Sequence, residues 1–179
     1  QIMDAKKIII PSIMVLLCLF IACAKENDKV PPQAVTDTPA YGDVLMSSSI
    51  GDASNLIPML ASDGTSHEIA GFLYNGMVKY DKDFNIVPDL AEKWEIEDGG
   101  KLLRFHLRKG GTFHDGTPLT ARDVLYTYKT IINPKTPTAY AEKYKLVKDV
   151  KLVDDYTLEV RYDKPFAPGL ISWGLEVLP

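Results

Sequence analysis

The apolar positions change period several times along the chain, and each change marks an element. Val44 to Ile50 reads as an opening strand. Ser66 then stands as a candidate N-cap before Ile69, Phe72, Leu73 and Met77, whose helical spacing predicts a helix. Val78-Lys79-Tyr80 and Ile86-Val87 flank the polar segment from Asp81 to Asn85 and predict a short hairpin. Pro88 is expected to open a brief helical turn through Leu90 and Ala91, because its fixed φ suits a first helical position.

The clearest β signal follows. Trp94 and Ile96 alternate with charged neighbours, Asp98-Gly99-Gly100 supplies a turn, and Leu103, Phe105 and Leu107 alternate with Arg104, His106 and Arg108. Asp115-Gly116-Thr117-Pro118 marks another turn. Thr120 and Asp123 then form the Thr-x-x-Asp pattern of a capping box, ahead of a helix carrying Val124, Leu125, Tyr128 and Ile131. That helix should end near Asn133-Pro134, since a residue before proline is driven out of the helical region. Val150, Leu152, Asp154-Asp155, Leu158, Val160 and Tyr162 predict a second hairpin, ended by Pro165. Antiparallel hairpins alternating with single helices favour an α+β arrangement over a doubly wound parallel sheet.

Both ends carry a different pattern. Lys6 and Lys7 precede an apolar run from Ile8 to Ala22, shorter than the ~20 residues a helix needs to span the hydrocarbon core, so residues 1–22 read as a cleaved signal peptide. Cys18 and Cys23 are the only cysteines, which excludes a disulfide framework in the rest of the chain. Phe20-Ile21-Ala22-Cys23 resembles the lipobox of bacterial lipoproteins, with Phe20 where Leu is usual. The resemblance implies that Cys23 is lipidated, against the plainer reading of an incidental cysteine. Residues 23–40, polar and containing Pro31-Pro32, read as a flexible tether. Residues 41–179 form the folded part. Its last stretch, with Leu170, Ile171, Trp173, Leu175 and Val177, reads as helix-like with no evident cover. Together with Gln1 and Ile2 ahead of Met3, this suggests an incomplete sequence.

A hydrophobic content of 46% is enough to bury a core, and a net charge of −4 without basic blocks excludes nucleic acid as an expected partner. Candidate chemistry is sparse. His106, His114 and Asp115 lack the spacing of a metal site, so no metal or cofactor is expected. Asp115 is better explained as an Asx-turn residue before Gly116. Ser47-Ser48-Ser49 lacks a nucleophile elbow, and no histidine follows His114 to complete a triad. The chain therefore does not read as an enzyme. Tyr126, Tyr128, Tyr140 and Tyr144 could each stack on a ligand or pack in the core.

LYNGMVKYD (Leu73 to Asp81), PDLAEKWE (Pro88 to Glu95), FHLRKGGTFHDGTPLTARDV (Phe105 to Val124) and DDYTLEVRYDKPF (Asp154 to Phe166) together resemble the extracellular solute-binding proteins of family 5. That family includes the oligopeptide-, dipeptide- and nickel-binding proteins of ABC importers. Gly111 departs from its pattern, where an apolar residue is usual. The resemblance implies a two-lobed, hinged type II periplasmic-binding-protein fold, of which residues 41–179 would supply the start of the first lobe and most of an inserted extra domain. It further implies a peptide or similar small solute as ligand and ABC permease subunits as partners, with the protein exported and held to the membrane at Cys23. By the same resemblance, Asp63, Gly64 and Thr65 before the first helix and Tyr140 after the capped helix are expected to face the ligand. Two other readings stay open: an exported hydrolase, and a free-standing surface interaction domain.

Overall fold

The computed structural model describes residues 46–179. The signal segment, Cys23, the tether and the first residues of the expected opening strand lie outside them. Met46 to Ile50, the described remainder of that strand, is exposed and irregular.

Two α-helices and six strands follow among the described residues. Helix α1 (Gly64–Leu73) leads to a two-stranded antiparallel ribbon of β1 (Val78–Tyr80) and β2 (Ile86–Pro88). A four-stranded antiparallel sheet contains β3 (Ala91–Glu97), β4 (Leu102–Leu107), β5 (Val147–Asp154) and β6 (Thr157–Tyr162), in the order β3-β4-β6-β5. Helix α2 (Ala121–Ile131) lies between β4 and β5 in sequence. The result is a mixed α/β fold built on antiparallel sheets.

The alternating residues do what their period demands. Leu103, Phe105 and Leu107 on β4 and Leu158 and Val160 on β6 are buried, and register sets Phe105 opposite both Trp94 and Leu158. On the other face Arg104 stands opposite Glu95 on β3 and Glu159 on β6. Its guanidinium bonds both, at 2.9 Å to Glu95 and 3.0 Å to Glu159, and also reaches Glu97. A cross-strand ladder of alternating charge thus covers the polar face of the sheet.

Helix α2 begins as its sequence requires. Thr120 accepts from Arg122 N at 3.2 Å, and its own N–H donates to Asp123 Oδ2 at 2.7 Å, which completes the capping box. Val124 and Ile131 point into the core.

Four expectations are corrected. The first helix stops at Leu73, so Met77, expected on it, lies beyond its end and donates its N–H to Trp173 O at 2.9 Å. Pro88 opens no helical turn: it closes β2, because Leu90 N and Ala91 N are taken by the carbonyls of Gly76 and Met77. Ser66 is not the N-cap of α1, since Asp63 holds that place. The residues 170–177 are not without cover. They form short 3-10 turns and an extended end, with Trp173 and Val177 each only 3% exposed. Trp173 packs among Phe105, Tyr128 and Tyr144 with ring centroids 5.3–5.9 Å apart. Its indole N–H donates to Tyr162 Oη at 3.0 Å.

Candidate functional site

The candidate residues start from the N-terminus of α1. Asp63 has extended backbone, and its carboxylate accepts from Ser66 N at 2.8 Å and from Ser66 Oγ at 2.6 Å. It also accepts from Ser54 Oγ. These bonds, those of the Ser54 and Ser66 hydroxyls foremost, hold the Asp63 carboxyl well below the usual carboxylate range. The first-turn N–H groups of a helix have no acceptor inside it. Asp63 takes that of Ser66, leaving those of Gly64 and Thr65 without an acceptor among the described residues. Thr65 also borders a recess of about 160 Å³ shared with Ser47 to Ser49, Ile69 and Phe72.

Tyr140 arrives from the other side of the chain. The segment after α2 turns at Asn133, whose Oδ1 accepts from Lys135 N, and Tyr140 opens a 3-10 turn running to Tyr144. The Tyr140 hydroxyl lies 2.9 Å from His67 Nε2, with the rings edge to face and their centroids 6.1 Å apart. Lys143 Nζ sits 4.8 Å above the Tyr140 ring. Burial, with a smaller push from the Glu176 charge, raises the Tyr140 phenol above its ordinary pKa. Asp63, Gly64, Thr65 and Tyr140 therefore belong to two segments that meet through His67, one helical turn beyond Asp63.

His67 is the residue the sequence reading passed over. The available signal was its place four residues after Asp63 on a helix, which puts the two on one face. With Ser66 as the expected cap, the helix starts too late for Asp63 and His67 to share a turn.

The other tyrosines divide. Tyr144 is buried, donates to Ser172 O at 2.8 Å, and has its phenol pKa pushed up by burial. Tyr128 packs edge to face on Tyr144. Tyr144 is a core residue, and Tyr128 packs half-buried against the core. Tyr126 is exposed on α2.

Asp115 accepts from Thr117 N at 2.9 Å and from Thr117 Oγ1 at 2.7 Å, while Gly116 takes φ 86°, as the turn requires. His106 lies on the polar face of the sheet, 3.3 Å from Glu95 Oε1 but off the hydrogen-bond direction. Among the described residues, no three His, Cys, Asp or Glu side chains are grouped to hold a metal ion. Ser47 Oγ donates to Glu68 Oε1 at 3.0 Å. A larger recess, about 400 Å³, opens between the end of α1 and the turn at Gly111 to Leu119, and Gly111 O there accepts from Leu119 N at 2.9 Å.

A family model described as "Bacterial extracellular solute-binding proteins, family 5 Middle" matches residues 85–178, more than half of the chain. The chain belongs to this family. Among family 5 relatives, the oligopeptide-binding protein AppA of Bacillus subtilis is 29% identical over 160 residues, covering 88% of this chain and 29% of AppA. Heme-binding protein A of Haemophilus influenzae is 33% identical over 140 residues, covering 68% of this chain and 26% of the relative. The solved structure of AppA from Bacillus subtilis in complex with a nonapeptide superposes with a TM-score of 0.68 at 28% identity, over 73% of this chain and 26% of that one. The chain thus spans under a third of the length of these family 5 proteins.

Proposed function

We propose that this chain is part of a solute-binding lipoprotein of an ABC importer, which captures a peptide or similar small solute outside the cytoplasmic membrane and delivers it to permease subunits. Residues 41–179 contribute the start of the first lobe and most of an extra domain of a two-lobed, hinged type II fold. Cys23, at the end of a signal peptide, carries the lipid that holds the receptor to the membrane, and residues 23–40 are its tether. The activity is binding, without covalent chemistry and without a cofactor.

The observation that carries this reading is the match of residues 85–178 to the family 5 solute-binding proteins, and the helix that starts after Asp63 reaches Tyr140 through a 2.9 Å contact at His67. Small-solute sites commonly enclose about 300–1,000 Å³, so the recess of about 160 Å³ at Thr65 fits one wall of a cleft. Gly64, Thr65 and Tyr140 offer polar groups to a ligand backbone, whereas the Asp63 side chain acts through the shape of the helix start. The solute could be a peptide or another compound, since the relatives' names include both oligopeptide and heme.

Calorimetry on the full-length gene product with a mixed pool of short peptides tests this function. Saturable heat is expected, and Tyr140→Ala should weaken binding while leaving the circular dichroism spectrum unchanged. Absence of binding across peptides and other small solutes would overturn it.

A further inference from the structure

Asn75 stands directly before Gly76, between the end of α1 and β1. That order carries a reaction needing no enzyme: the main-chain nitrogen of the following residue attacks the asparagine side-chain carbonyl carbon, and glycine has no side chain to obstruct the approach. Gly76 N–H donates to no main-chain carbonyl among the described residues, so the nucleophile is uncommitted. Asn75 is exposed and borders the recess of about 400 Å³ beside the turn at Gly111 to Leu119, so water reaches it.

The side-chain amide, in contrast, is gripped. Both Asp89 carboxylate oxygens accept from Asn75 Nδ2, at 3.0 and 3.1 Å. Asp89 is itself fixed by Lys79 Nζ at 3.2 Å and, through its main-chain carbonyl, by Arg108 Nε at 2.8 Å. Ring closure carries Cγ and its amide toward Gly76 N, and the two bonds to Asp89 oppose that movement. The bond from Val177 N to Asn75 O at 2.9 Å opposes the accompanying rotation of the main chain.

We propose that Asn75-Gly76 is a deamidation site of this protein, that Asp89 holds it in check, and that conversion there loosens the segment from Trp173 to Val177. Asp89 acts through Asn75 and is a positioning residue. The Gly76 nitrogen loses its proton to solvent and bonds to Asn75 Cγ. The Cγ–Nδ2 bond breaks, the departing nitrogen takes a proton from solvent and leaves as ammonia, and a cyclic imide remains. Water opens the imide at either carbonyl, giving an aspartyl or an isoaspartyl link at position 75. One water is consumed and one ammonia released, with no change of oxidation state.

Neither product fits this place. The aspartyl form puts a carboxylate where the amide donates to Asp89, and two like charges at that distance repel. The isoaspartyl form routes the main chain through Cβ and Cγ, which adds one carbon before Gly76. There is no slack to absorb it, since a Cβ on Gly76 would already lie 2.4 Å from Gly174 O. Gly76 O and Met77 N are also tied to Leu90 N and Trp173 O. The former Asn75 carbonyl, acceptor of Val177 N, becomes a carboxylate off the main chain.

The test incubates the full-length gene product in warm, mildly alkaline buffer and follows conversion at position 75 by peptide mass spectrometry. Wild-type conversion should run about tenfold slower than in an unfolded synthetic peptide of residues 71–80, and Asp89→Ala should recover most of that factor, because hydrogen bonds to a charged group are lost with it. Thr120→Ala is destabilised elsewhere with the grip intact and should stay close to wild type, which separates release of the amide from general unfolding. Where Asp89→Ala fails to fold, Asp89→Asn keeps one acceptor and should show an intermediate rate. Converted protein, separated by charge, should have a lower urea midpoint. Asn75→Asp should lower the midpoint too, and adding Asp89→Asn to it should restore one amide and one carboxylate and most of the loss. Equal rates in wild type and peptide, or an Asp89→Ala rate matched by wild type or by Thr120→Ala, would overturn the inference. An unchanged midpoint after conversion would do the same, and each of these results leaves the solute-binding reading intact.

Discussion

At Gly76 the main chain passes so close to Gly174 that a Cβ would lie 2.4 Å from the Gly174 carbonyl oxygen. The obstacle is backbone, and the bond from Met77 N to Trp173 O at 2.9 Å holds the two segments at this distance. Gly76→Ala must push the Trp173 segment off the core, and a loss of about 1–3 kcal/mol is expected from overpacking, read as a lower urea midpoint. Nothing in the residue order around Gly76 announces this, because the atoms in the way come from a segment nearly a hundred positions later. Thr120 is the contrary case, since its partner Asp123 is three residues on and the pattern was legible at once. Thr120→Ala should cost about 1 kcal/mol through loss of the cap, with solute preference unchanged in the full-length protein. A changed preference at unchanged stability would show that the cap is part of the binding wall.

Among elements, the four-stranded sheet offers the sharpest test of electrostatics. Hydrogen bonding to Arg104 holds the Glu95 carboxyl below its ordinary range, with a smaller pull from His106. The folded pKa is depressed, so the stabilisation is fully present above the ordinary glutamate value of about 4.3 and is lost as pH falls through the depressed value. The wild-type melting temperature should therefore drop more steeply on acidification than that of Arg104→Gln, which should start lower at neutral pH. Equal slopes would mean the ladder contributes nothing to acid sensitivity. The sheet was legible because a period of two with one apolar face needs no long-range information. Helix α1 was only half legible. Its type followed from Ile69, Phe72, Leu73 and Met77 but its span did not, since the helix ends at Leu73 and Met77 is buried beyond it, while Phe72 is 69% exposed and the buried positions are Ser66 and Ala70. Small residues are buried there because the Ser66 hydroxyl bonds to Asp63 and also accepts from Ser54 N and Asn55 N, which draws the preceding loop over that face.

For the whole molecule, a peptide-sized solute requires a cleft with two walls, because drug-sized ligands bury about 70–90% of their surface. Residues 41–179 alone should give no saturable heat with the peptide pool, whereas the full-length gene product should bind; micromolar binding by the short form would make it a complete receptor. Labelling with a palmitate analogue should tag the exported full-length protein and fail in Cys23→Ala, since Cys23 is the cysteine at the end of the signal segment. Equal labelling of that variant would exclude the anchor. The sequence by itself determined the antiparallel hairpins, the Thr120 capping box, the turn at Asp115 and the family, because each depends on residues near one another in the chain. Only the tertiary structure decided that Trp173 fills the core beside Phe105, that Gly76 and Gly174 must be small, and that His67 meets Tyr140. Those pairs lie far apart in sequence and are joined by packing, and no local period carries a signal for a neighbour supplied by another segment.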